Sequence, residues 1–185
     1  MKYALIALTP FILLASCGKG DVDMKNASIA DVAKTMEDQQ KLTPGAWSTT
    51  VEIVDVKLGG LTPKDAQMAE TISRAMKGQK KTTETCLTPE QSKKSVTEMF
   101  AGRNADNCTY ESFKMSDGNM DAVMSCAPPG GQGKMTLSMK GRYGADSYDM
   151  AVQMDGSGMP GSPPGASMTM VGKNSGKRTG DCKKS

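Results

Sequence analysis

The chain has 185 residues, 23 Lys and Arg against 20 Asp and Glu, and no histidine. That length suits one domain, and a net charge of +3 with 4% aromatic residues carries no nucleic-acid footprint. Without His, the commonest general base and metal ligand is missing, which removes the usual catalytic triads and most zinc sites.

Lys2 precedes an apolar run from Tyr3 to Leu14, broken by Pro10. This is the make-up of a secretory signal, too short to span a bilayer. Leu14-Ala15-Ser16-Cys17 resembles the lipobox of bacterial lipoproteins. The resemblance implies cleavage before Cys17, a diacylglycerol on its sulfur and a fatty acyl group, such as palmitate, on the new amine. Gly18, where Asp would mark inner-membrane retention, implies an outer-membrane anchor facing the periplasm of a Gram-negative envelope. The organisation expected is a signal peptide over 1–16, a lipidated tether over 17–26, an N-terminal helix and linker over 27–43, and one domain over 44–185.

Ile29, Val32, Ala33 and Met36 have helical spacing and a thin apolar face, expected to pack on the domain or, as the alternative, to lie near the headgroups. Pro44-Gly45 reads as a turn. Trp47, Thr49, Val51 and Ile53 then alternate as a strand, and Val54, Val56 and Leu58 switch parity, which predicts a bulge or a strand covered on both faces. Thr62-Pro63 supplies an N-cap and first-turn proline. The helix after it gathers Met68, Ala69, Ile72, Ala75 and Met76 on one face. Lys80 to Cys86 reads as a short strand, and Thr88-Pro89-Glu90-Gln91 as a capping box opening a helix that carries Val96, Met99 and Phe100 inward.

From Asn107 the pattern is β. Ser116-Asp117-Gly118 reads as a three-residue hairpin loop with Gly118 left-handed, which places Tyr110 opposite Met124 and Cys108 opposite Cys126. Gly144-Ala145 reads as a two-residue turn, pairing Met139 with Met150, Leu137 with Val152 and Met135 with Met154, and setting Lys140 across from Asp149. Asp155 to Gly165 is rich in Gly and Pro and reads as a long loop. Ser167 to Val171 returns as a strand, Asn174-Ser175-Gly176 turns, and Lys177 to Cys182 closes the sheet.

With Cys17 committed to lipid, Cys86, Cys108, Cys126 and Cys182 remain, an even set that suits an oxidising compartment. The hairpin register selects Cys108–Cys126, and Cys86–Cys182 follows by elimination. A zinc site is disfavoured because no two cysteines are two to four residues apart, and the absence of CxxC disfavours thioredoxin-type chemistry.

Several motifs share an order. Pro44-Gly45-Ala46-Trp47 opens a strand, Cys86-Leu87-Thr88-Pro89-Glu90 leads into a helix, Cys108 and Cys126 flank a hairpin, and Arg178-Thr179-Gly180-Asp181-Cys182 closes the chain. From about Pro44 to Cys182 this resembles the domain-of-unknown-function family DUF3617, small exported proteobacterial proteins. The resemblance implies one exported, disulfide-bonded domain and no established activity, ligand or site residues.

The fold expected is α+β: a curved, mostly antiparallel meander of about seven strands, open or partly closed into a barrel, with two or three helices and two disulfides. No patterned carboxylate pair or phosphate loop marks an enzyme, and no cofactor is expected. The methionines, 16 in all, are the unusual feature. They serve as flexible core filler, or they form an adaptable apolar face for a small ligand, or they capture Cu(I) or Ag(I) through soft thioethers. The face in question carries Met135, Met139, Met150, Met154, Met168 and Met170, with Met159 in the loop beyond it. Lys173, Lys177, Arg178, Lys183 and Lys184 form a basic C-terminal segment, a solvated edge or a contact for anionic headgroups. The function expected is a membrane-anchored, non-enzymatic binding or envelope-interaction module. Its partners would be the bilayer, through Cys17, and an envelope protein or apolar small molecule.

Overall fold

A computed structural model of the chain describes residues 21–36, 41–92, 107–127, 133–158 and 162–183. The signal peptide, Cys17, the inward face of Val96, Met99 and Phe100, Met159 and Lys184 lie outside the described residues.

The elements in chain order are β1 (Val22–Ser28), α1 (Ile29–Met36), β2 (Gly45–Gly59), α2 (Pro63–Met76), β3 (Lys80–Leu87), α3 (Pro89–Ser92), β4 (Cys108–Ser116), β5 (Asn119–Cys126), β6 (Lys134–Tyr143), β7 (Ser147–Ser157) and β8 (Ser167–Gly180). The strands form one antiparallel sheet in the order β1-β4-β5-β6-β7-β8-β2-β3. The α+β meander is as expected, and so are both disulfides, Cys86–Cys182 and Cys108–Cys126. The sheet is open. Among the described residues β1 pairs only with β4 and β3 only with β2, so the partly closed barrel does not form.

The eighth strand is β1, which runs through residues assigned from sequence to the tether. Val22, Met24 and Ala27 face Met115, Phe113 and Tyr110. Asn26 adopts a positive φ of 49° and drops out of the ladder opposite Glu111. Asn is among the few non-glycine residues that tolerate this region. The interruption hides the alternation from a sequence reading and keeps Ala27 on the apolar face. α1 follows directly, capped by Ser28, whose Oγ accepts from Asp31 N–H at 3.1 Å. Ile29, Val32, Met36 and Leu42 are buried in the same core, so α1 packs on the sheet.

The parity switch in β2 is a bulge between Ile53 and Asp55 against β8, as expected. Both caps also form. Asp65 N–H points to Thr62 Oγ1 at 3.4 Å, and Thr88 and Gln91 bond reciprocally at 2.9 and 3.2 Å. The apolar face of α2 is mostly left uncovered by the sheet. Ala69 is buried, but Met68 is 66% and Ile72 44% exposed. β3 pairs only as far as Glu52, and α2 packs on β2 beyond that point, tied by Gly78 N–H to Ile53 O at 2.7 Å and Lys77 to Asp55 at 3.4 Å. A helix at a sheet edge has one strand to cover, and the small side of α2 does so.

The β4–β5 turn is two residues, Asp117-Gly118, with φ of 49° and 74°. This corrects the three-residue loop. A primed turn matches the right-handed strand twist, and a bulge between Tyr110 and Ser112 absorbs the offset, so Cys108 still meets Cys126. The β6–β7 register also differs from expectation. Gly144 N–H donates to Ser147 O at 2.8 Å, the turn spans Gly144–Ser147, and Tyr143 faces Tyr148. Met139 therefore meets Val152, Leu137 meets Met154, Met135 meets Gly156 and Met150 meets Gly141. The shift is two residues, which leaves every side chain on its predicted face. Lys140 no longer faces Asp149. It lies 3.1 Å from Asp121 on β5, and Arg142 takes the place across from Asp149. β7 continues through Asp155 and Gly156, which were read as loop, and β8 runs unbroken through Asn174-Ser175-Gly176, which was read as a turn. The Tyr148 ring lies over Gly176, occupying the space a side chain would take, and stacks on Trp47 at 6.2 Å between centroids.

The pairings divide the sheet into two faces. One polar rung crosses all eight strands as Asp23, Lys114, Asp121, Lys140, Ala151, Lys173, Glu52 and Lys80, with opposite charges adjacent at most steps. The other face holds the core, centred on Tyr110, Phe113, Ala122 and Met124 beneath α1. Burial pushes the Tyr110 phenol up to about 12 and the Tyr143 phenol higher still, from an ordinary 10.0. Both phenols ionise more readily in the unfolded chain. Their contribution to stability is therefore constant below pH 10 and falls as pH rises from there towards 12, at about 1.4 kcal/mol per pH unit for each group. Urea midpoints measured across that range should decline steeply in the wild type and half as steeply in Tyr110→Phe.

Candidate ligand-binding face

The apolar face is unevenly covered. Its central rung reads Met24, Phe113, Ala122, Met139, Val152, Gly172 and Ile53 from β1 to β2. Phe113 and Ala122 are fully buried, whereas Val152 and Ile53 are half-buried. The next rung reads Ala27, Tyr110, Met124, Leu137, Met154, Met170 and Val56; it is buried at both ends and half-buried at Leu137, Met154 and Met170 between them.

A cavity of ≈180 Å³ opens where the cover thins, with Val51, Ile53, Leu137, Val152, Met154 and Met170 among its walls. Its origin is local. Gly172 stands in the apolar phase of β8, between Val152 and Ile53, and contributes no side chain. At Gly176, four residues on, Tyr148 fills the equivalent gap. Among the described residues no side chain does this at Gly172, where, chain neighbours aside, the one described atom near a Cβ position is the Glu52 carbonyl oxygen. A glycine inside a strand commonly marks a close backbone approach, and here it leaves a backbone floor between apolar walls.

Of the six methionines assigned to a ligand face, Met139, Met154 and Met170 line this cavity. The other three do not. Met150 is buried in the core, Met135 packs beside Cys126, and Met168 lies across from Gly156 in a separate surface depression. Sequence reasoning missed Val51, Ile53, Leu137, Val152, Gly172 and Asn174. The available signal was Gly172 in phase with Met168 and Met170, where an apolar residue would continue the stripe.

Among the described residues no cluster of three His, Cys, Asp or Glu could hold a metal ion. Asp155 is held below the usual carboxylate range, first by the Thr169 hydroxyl and then by the Gln153 amide, at 2.7 and 2.8 Å. It sits away from the cavity. In the basic segment, Arg178 is engaged within the fold, donating from Nε to Pro44 O at 2.8 Å and pairing with Asp181 at 2.7 Å. Lys173 and Lys177 are exposed.

No curated protein and no solved structure matches the chain. A family model described as a protein of unknown function, DUF3617, matches residues 42–182, which takes in both disulfides and the strands β2, β6, β7 and β8 that form the cavity. The chain belongs to the DUF3617 family.

Proposed function

We propose that this protein is a non-enzymatic binding module of the bacterial envelope, anchored through acyl groups on Cys17, whose cavity takes a slender apolar ligand. The observation that carries the reading is the Gly172 floor, which no described side chain fills, between apolar walls. A cavity of ≈180 Å³ exceeds the ~150 Å³ engineered apolar cavity that accepts benzene. Each buried methylene of a ligand contributes about 0.8 kcal/mol. Flexible methionine walls re-pack around varied chains. Two disulfides support an oxidising compartment, and β1 starts at Val22, so a Cys17 anchor would hold the domain within about 20 Å of the bilayer.

The test is binding of a fluorescent fatty acid to the full chain carrying Cys17→Ser, which removes the acyl groups and leaves every described residue in place. Saturable binding is expected, weakened at least tenfold by Val152→Phe, which fills the cavity from a half-buried site. No saturable binding by the parent chain would overturn the reading. The anchor is tested separately: palmitate labelling in cells should be lost in Cys17→Ser, and persistence of label would refute it.

Met154 faces Met170 across β7 and β8, with Met139 in the same cavity, which favours Cu(I) or Ag(I) capture as a second reading. Titration of Cu(I) against a competing chelator decides it, and affinity no better than free methionine would remove it.

A further inference from the structure

Resting on the cavity reading, we propose that the ligand is a single-chain anionic amphiphile, its chain lying over Gly172 towards Met154 and Met170 and its head between Lys81 and Asn174. The cavity has two chemically different ends. At one end the walls are the rung Leu137, Met154 and Met170 on β6, β7 and β8, all apolar. At the other end the rung across the same face reads Lys81, Val51, Asn174 and Met150.

Asn174 is half-buried among apolar neighbours, an unusual place for an amide. Its Oδ1 lies 3.4 Å from the Tyr148 hydroxyl, which also lies 3.4 Å from Thr49 Oγ1. The Asn174 amide nitrogen, with two N–H donors, has no protein partner among the described residues, so it can donate to a ligand oxygen. Lys81 is the register partner of Val51 and therefore stands on the same face. It pairs with no carboxylate among the described residues, unlike Lys77, Lys114, Lys134 and Lys140. Lys81 and Asn174 are two strands apart, about 10 Å at the backbone, and only Val51, 49% exposed, stands between them. An anion seated over Val51 meets a cation on one side and amide donors on the other. A neutral head would gain the amide contact alone.

Carboxylate and phosphate heads share this chemistry, so a free fatty acid and a lysophospholipid are both candidate sources. The test displaces a fluorescent fatty acid from the full chain carrying Cys17→Ser. The competitors are myristate, myristoyl lysophosphatidylglycerol and uncharged monomyristin. Both anions are expected to displace the probe about tenfold more tightly than monomyristin. Lys81→Gln, a change at an exposed edge position, should remove that advantage and leave monomyristin unaffected. Whichever anion binds better identifies the source, and either ranking supports the proposal. Equal potency of all three, with Lys81→Gln silent, would overturn the head-group assignment while leaving the apolar cavity as a binding site. Failure of the probe itself to bind would remove both.

Discussion

Replacing Cys86 and Cys182 together by serine is expected to cost about 4–5 kcal/mol of folding free energy, the largest loss from any single covalent change in this domain. The bridge joins residues 96 apart in sequence. In the chain-entropy account, a closed loop near 100 residues restricts the unfolded ensemble by about 4.7 kcal/mol. The native side of the balance points the same way. Cys86 ends β3, the sheet edge, and Cys182 follows β8, with β2 lying between those strands. The bond clamps a three-strand unit whose only ladder to the β4–β7 meander, among the described residues, is the pairing of β8 with β7. The hairpin bridge, Cys108–Cys126, spans 18 residues and should contribute about 3 kcal/mol in the same account. Urea unfolding of the two double-serine variants measures both. A loss at Cys86–Cys182 no larger than that at Cys108–Cys126 would show that the β2–β3 edge holds itself in place.

Phe113→Ala is the second large effect, expected at about 3–5 kcal/mol. Phe113 is 0% exposed and meets Tyr110 edge-on at 5.4 Å. Its neighbours on the central rung are Met24 and Ala122. Ala122 is too small to move into the vacated space, so the cavity term adds to the lost transfer free energy. Phe113→Leu keeps much of the volume and should cost markedly less. Circular dichroism during urea unfolding reports both. A loss below about 1 kcal/mol for Phe113→Ala would mean that the core is not centred on β4 and β5. The cavity floor at Gly172 is four strands away, so Phe113→Leu should leave ligand affinity within a factor of two.

The contrast between these core positions and the candidate site explains which parts were legible beforehand. The β2 bulge was readable because Ile53, Val54 and Val56 break alternation within four residues. The caps at Thr62 and Thr88 were readable because each partner lies three residues on. The Cys108–Cys126 pair was readable although the turn was one residue shorter than expected, because the bulge near Glu111 returned the register. The site was only partly readable. Met139, Met154 and Met170 lie on the expected face, but alternation states which face a residue occupies and not how deeply the neighbours cover it.

Local chemistry therefore determined the α+β class, the two disulfides, most strand positions, the caps and the face of each methionine. Apart from Cys86–Cys182, which follows by elimination across 96 residues, each depends on side chains within one element or one hairpin, whose steric and hydrogen-bonding preferences act before distant contacts form. Tertiary structure decided the rest. β1 became a strand because β4 offered it an edge. Asn174-Ser175-Gly176 stayed extended because β2 and β7 pair with it on both sides and Tyr148 fills the Gly176 gap. The β6–β7 register moved by two residues because Gly144–Ser147 closes a four-residue turn, with Ala145 O also accepting from Thr43 N–H. Gly172 became the floor of a cavity because no residue from β2 or β7 covers it. Those outcomes rest on which strands become neighbours, and strand neighbours here are separated by up to a hundred residues or more of chain, beyond the reach of any local preference.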